Sequence, residues 1–103
     1  MRYTPENIEE LKDGEIFVFC SNLAGIHSGG AAKVASDRFG AMFGKGEGLT
    51  GRCYAFPTLG KDFEKRTDEE LTESAETLFR TARLMPKHTF LVTKVGCGIA
   101  GYP

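Results

Sequence analysis

Unbroken apolar runs alternate with helically spaced apolar residues along most of this chain. Residues 15–20 hold Ile16-Phe17-Val18-Phe19 without a polar interruption, the pattern of a strand buried on both faces of a parallel sheet. Arg52-Cys53-Tyr54-Ala55-Phe56-Pro57 reads as a second strand, with Pro57 at its exit, where a missing N–H is tolerated. Thr89-Phe90-Leu91-Val92-Thr93-Lys94-Val95 reads as a third. Between them lie helix signals. Over residues 29–39, Ala31, Val34, Ala35 and Phe39 can line one face, and Gly40 follows as a stop. Thr67-Asp68-Glu69-Glu70 is a capping box, and Leu71, Ala75, Leu78, Phe79 and Ala82 then recur at helical spacing until Met85-Pro86. Thr4, Pro5 and the acids after them predict a short helix to Leu11, with Thr4 as N-cap. Residues 40–51 carry five glycines and read as an ordered but irregular connection, and residues 58–66 as a polar loop.

Helices and strands alternating in this way predict a single α/β domain over residues 1–103. The expected form is three-layer-like, with a mainly parallel sheet and right-handed helical crossovers. Two glycine-rich loops follow predicted strands: Ser21-Asn22-Leu23-Ala24-Gly25-Ile26-His27-Ser28-Gly29-Gly30 and Gly96-Cys97-Gly98-Ile99-Ala100-Gly101-Tyr102. In a parallel sheet both loops emerge on the carboxyl edge, where open α/β sheets bind ligands. The chain ends at Pro103, where such a loop normally feeds a final helix; a longer native chain and a natural stop both fit.

Charge and composition narrow the function classes. A formal net charge of -1, with acids and bases mixed, argues against a nucleic-acid platform. No run approaches the roughly 20 apolar residues of a membrane span, and Met1-Arg2-Tyr3-Thr4-Pro5-Glu6 has no apolar signal region. The three cysteines, Cys20, Cys53 and Cys97, form no C-x-x-C pair, so reduced thiols in a cytoplasmic protein are the simplest expectation. Two cysteines and a histidine near one edge lack a fourth ligand, so neither a metal nor a cofactor is expected. The charge run 62–70 reads as a solvated face, and His88 as a surface residue.

The loops carry the candidate chemistry. Glycines allow positive φ and let backbone N–H groups approach an anion, while the bland reading of each loop is a tight turn. Ser28, Gly29 and Gly30 stand at a helix start, where free N–H groups and the helix dipole suit phosphate; ordinary capping by Ser28 also fits. For Asn22 an Asx-turn and a ligand contact both fit. His27 is the candidate general acid or base, and its bland alternative is an exposed loop histidine. Cys97 could act as a nucleophile only with a lowered pKa, and Tyr102 suits stacking beside a sugar or base.

At these loops the chain resembles the macro domains, α/β/α modules that bind ADP-ribose. The resemblance rests on Phe19-Cys20-Ser21-Asn22 followed by Ser28-Gly29-Gly30-Ala31, and on Gly96-Cys97-Gly98-Ile99-Ala100-Gly101 after a late strand. Over nearly all 103 residues it is also similar to a group of small bacterial and phage proteins with F-G-S-N-x-A-G-x-H and G-C-G-I-A-G-Y elements. The macro resemblance implies that Asn22 contacts the distal ribose region. It implies that Ser28, Gly29 and Gly30 form one phosphate-side loop, and that Gly96 to Gly101 form the other. Hydrolytic members carry an acid early in the following helix, whereas Ala32-Lys33-Val34-Ala35 has none. The expectation is therefore a binder of ADP-ribose or a related nucleotide diphosphate, with His27 or Tyr102 at the rim. A hydrolase or transferase on ADP-ribosylated or nucleotide-linked substrates is the first alternative. A phage or mobile-element interaction module is the second. A sheet face left bare by the missing last helix would favour a homodimer.

Overall fold

The apolar run at 15–20 becomes the middle of a sheet. The structure is a computed structural model that describes residues 2–4, 10–27 and 30–93. Its elements are β1 (Arg2–Thr4), β2 (Glu15–Asn22), α1 (Gly30–Arg38), β3 (Gly48–Thr50), β4 (Cys53–Leu59), α2 (Asp68–Leu84) and β5 (Thr89–Thr93). The five strands lie in the order β1-β5-β2-β4-β3. All neighbours are parallel except β3, which runs antiparallel to β4 at one edge.

Both faces of the sheet are covered, which is why β2 is apolar from Ile16 to Phe19. Ile16 and Val18 join Tyr54, Phe56, Phe90 and Val92 on one face, under Ala75 and Leu78 of α2. Phe17 and Phe19 point the other way and meet Cys53, Ala55, Ala35 and Phe39 on the α1 side. The Phe39 ring stands edge-on to Phe17, with centroids 5.4 Å apart. From β2 the chain crosses to β4 on one side through α1, and from β4 back past β2 to β5 through α2. Two crossovers that leave in opposite directions share one hand only if their helices lie on opposite faces, as they do here. The predicted α/β sandwich is thus present.

Helix α2 forms as its sequence dictates. Thr67 accepts from the Glu70 N–H at 3.1 Å, and the Glu70 carboxylate accepts from the Thr67 N–H at 2.9 Å. These hydrogen bonds hold the Glu70 carboxyl below its ordinary pKa. Three acids fill the first turn, opposite the positive end of the helix dipole.

Three expectations are corrected. Thr4 ends a strand the sequence did not announce, β1, paired with Thr93, and Glu10 and Leu11 are irregular, so no helix reaches Leu11; residues 5–9, where the rest of the expected helix falls, lie outside the described residues. The glycine-rich 40–51 connection contains β3, pinned by Leu49 opposite Tyr54. Strand β4 also runs through Pro57 to Leu59. Pro57 is tolerated because β3 pairs no further than Ala55 and the β2 register shifts just beyond it, between Ser21 and Asn22.

The cysteines divide. Cys20 is disulfide-bonded, against the expectation of reduced thiols throughout. Cys53 is a free, fully buried thiol whose pKa burial pushes up to about 12. A raised folded-state pKa favours the neutral thiol, so its contribution is complete below pH 9 and fades as pH rises from 9 toward 12. Urea unfolding over that range should show stability falling by about 1 kcal/mol per pH unit from this group. In Cys53→Ala the slope should be shallower by that amount, and an unchanged slope would contradict the assignment.

Candidate functional site

The site is built where β2 ends. After Asn22 the chain turns sharply: the Gly25 N–H donates to the Asn22 carbonyl at 2.9 Å. The Asn22 side chain closes the same turn from both ends. Its Oδ1 accepts from the Ile26 N–H at 3.1 Å, and its Nδ2 donates to the Ile26 carbonyl at 2.9 Å. Asn22 is buried, and its amide shapes loop 22–27. Beside it the Leu23 N–H donates to the Leu59 carbonyl at 3.0 Å, so β2 and β4 stay paired to their last residues before the chain departs to opposite faces.

A second loop, residues 42–47, is stitched onto the first. The Gly44 N–H donates to the Gly25 carbonyl at 2.9 Å, and the Ser21 hydroxyl donates to the Gly46 carbonyl. A Cβ on Gly25 would run into the Gly44 backbone, and one on Gly46 into the Asn22 carbonyl and Leu23. Gly25 and Gly46 therefore serve a close approach of two backbones. Thr50 anchors the far end of the loop by accepting from the Met42 N–H at 2.8 Å.

His27 belongs to this stitch. It is 9% exposed, with its ring edge-on to Phe19 at 5.1 Å. Its Nε2 lies 3.0 Å from the Met42 carbonyl oxygen, which can only accept, so Nε2 carries the proton. Nδ1 is a buried acceptor with no hydrogen-bond partner. The expected exposed or rim position is thus replaced by a buried one, because Phe19 and the Met42 carbonyl draw the ring inward.

A polar chain on the α2 face escaped sequence reading. Arg66 donates from Nη1 to the Pro57 carbonyl and to the Ser74 hydroxyl, both at 2.8 Å. Ser74, itself buried, donates to the Glu47 carboxylate at 2.8 Å. The Tyr54 hydroxyl is buried nearby, facing Thr81 of α2, and burial raises its pKa above the ordinary value. Ser74 lies three residues after Leu71 and four before Leu78, so helical spacing puts it on the apolar face of α2, the one signal that could have found it. The chain fixes Glu47 and the base of the 42–47 loop against α2.

The structure thus brings together Asn22, His27 and the residues that hold them. Gly30 begins α1 just beyond. Ser28, Gly29, Gly96, Cys97, Gly98, Ile99, Ala100, Gly101 and Tyr102 lie outside the described residues. Among the described residues no group of His, Cys, Asp or Glu side chains could hold a metal ion, and no helix is long and apolar enough to cross a membrane. At the opposite, amino edge an open cavity of about 400 Å³ is lined by Glu10, Leu11, Arg38, Phe39 and Arg52. The Arg52 guanidinium is engaged there with the Leu11 carbonyl at 2.8 Å.

The stitch makes a contrast between two glycines measurable. Gly44 has φ +91° but open space where a Cβ would go, so Gly44→Ala should cost about 1–2 kcal/mol of backbone strain alone. Gly46 faces backbone at contact distance, so Gly46→Ala must push the loops apart. It should cost more than Gly44→Ala in urea unfolding and speed amide exchange at Gly25 and Ile26. Equal costs would refute the close-approach account. No protein-family model, curated protein or solved structure matches this chain.

Proposed function

We propose that the protein binds ADP-ribose or a related nucleotide diphosphate at the carboxyl edge of its sheet, on a macro domain-like scaffold. The observation that carries this reading is the arrangement of the β2 and β4 exits. The two strands are adjacent and parallel, yet the chain leaves β2 toward α1 on one face and β4 toward α2 on the other. Adjacent parallel strands whose exits part in this way open a crevice at their carboxyl ends, the usual ligand position in open α/β sheets. Loop 22–27 sits at that crevice, and α1 starts three residues later with the N–H groups and positive dipole end that suit a phosphate.

The ligand class is supported by the macro-domain resemblance of the two glycine loops. In this reading Ser28, Gly29 and Gly30 face one phosphate and Gly96 to Gly101 the other, with Tyr102 near the base or sugar. Asn22 contributes by setting the shape of loop 22–27 beside the distal ribose. Binding is favoured over turnover by the state of the polar side chains. His27 is nine-tenths buried with Nε2 committed to Met42, and the Glu47 carboxylate is engaged by Ser74 on the α2 face.

Isothermal titration of the folded full chain with ADP-ribose, NAD and free nucleotides tests the proposal. Saturable heat at one site per chain is expected with ADP-ribose. A folded sample that gives no heat with any of them would overturn the reading.

A further inference from the structure

Cys20 is disulfide-bonded, and its partner follows from the rest of the chain. The sequence holds three cysteines, Cys20, Cys53 and Cys97, and Cys53 is a free thiol. The fold excludes Cys53 a second time, by geometry. Cys53 is the register partner of Phe17, three residues before Cys20 on β2. Its side chain lies in the α1-face cluster and its Sγ donates to the Phe39 carbonyl at 3.5 Å, whereas Cys20 packs against the α2-face cluster. The sheet itself separates those two sulfurs. Cys97 is the cysteine that remains.

The strand order is consistent with that pairing. Strand β5 is the other direct neighbour of β2 and runs parallel to it, with Val18 opposite Val92. Toward the carboxyl edge, Cys20 lies two residues beyond Val18, and Cys97 comes four residues after Thr93, the end of β5. Four residues reach at most about 14 Å, enough to bring two Cα atoms within the roughly 4.4–6.8 Å that a disulfide requires. Cys20 is half-buried, so an external sulfur can approach it. It directly precedes Ser21, whose hydroxyl holds the Gly46 carbonyl, and Asn22, whose amide closes loop 22–27. A bond from Cys20 therefore starts inside the stitched edge.

We infer that Cys20 and Cys97 form a reversible disulfide that ties the β2 exit to loop 96–101 and sets the affinity of the carboxyl-edge site by redox state. The control of affinity rests on the binding reading above. Oxidation removes two electrons and two protons from the two thiols; a small disulfide such as oxidised glutathione takes them up and leaves as two thiols. For reduction, a thiolate of an external dithiol attacks one sulfur of the bond, and its second thiol then resolves the mixed disulfide. Both cysteines return as thiols, and the reductant closes to a cyclic disulfide. With the bond in place the second glycine loop is tethered to the first, so less order remains to be lost on binding. The oxidised form is the tighter binder.

The test uses the full-length wild type and Cys20→Ser, each equilibrated with oxidised glutathione or with dithiothreitol. Trypsin cleaves after Lys12, Lys33 and Lys94, so oxidised wild type should yield peptide 13–33 joined to peptide 95–103, and dithiothreitol should part them. The oxidised form should melt about 10 °C or more above the reduced one. It should bind ADP-ribose at least about fivefold more tightly. Cys20→Ser should match reduced wild type in both buffers. Peptides 13–33 and 95–103 recovered apart from oxidised protein, or either joined to the Cys53 peptide, overturn the inference. Joined peptides with equal affinity in the two forms overturn the redox control and leave the binding reading standing. A folded wild type that binds no ADP-ribose in either form overturns that reading and the redox control with it.

Discussion

Two backbones in contact set the carboxyl edge of this molecule. Loop 22–27 and loop 42–47 approach closely enough that a single Cβ on Gly25 or Gly46 would collide with the other chain. Glycine is entropically costly to order, but here it permits main-chain and side-chain hydrogen bonds that would otherwise be lost. The Gly46 and Met42 carbonyls find Ser21 and His27, and leaving such groups buried and unpaired costs about 1–3 kcal/mol each. The seam is therefore stabilised less by what its side chains bury than by what its backbone avoids leaving unsatisfied.

That seam also fixes elements at a distance. Because Gly46 is held against Asn22, Glu47 is delivered to the α2 face, where Ser74 and Arg66 continue the chain of hydrogen bonds to the Pro57 carbonyl. Loop, helix and the end of β4 are thereby positioned by one connected set of polar contacts. The β2 and β4 exits, tied by Leu23 to Leu59, sit inside it. An edge whose polar groups are committed on so many sides is fixed in outline, and such pre-shaping lowers the ordering cost of any contact made there.

How much of this could be read in the sequence follows from the range of the interactions involved. Helix α2 was legible because Thr67 and Glu70 cap it locally and Ala75 and Leu78 share its buried face. Strand β2 was legible because the stretch covered on both faces, Ile16–Phe19, is apolar without a break. Strand β1 was not, since it depends on β5, almost ninety residues away. The glycines at 44 and 46 were visible as a cluster, but the purpose of Gly46 lies in the partner backbone at Asn22 and Leu23, whereas Gly44 serves a positive φ. His27 misled for the same reason: its loop context suggested exposure, while Phe19 and Met42 decided burial. The position of Asn22 at a strand end was read correctly, and its Asx-type closure onto Ile26 is the bland option that the residue always allowed.

The division of labour at the edge bears on chemistry. A hydrolytic site needs a carboxylate or imidazole free to exchange a proton at the reacting atom. Here the imidazole of His27 is packed against Phe19 with its N–H spent on a carbonyl, and Glu47 is turned to Ser74. Asn22 spends its amide on its own loop. Among the described residues these side chains set the shape of the edge, and the main chain of loop 22–27 and the start of α1 lie beside them. Main-chain N–H groups hold anions without titrating, and they discriminate by geometry.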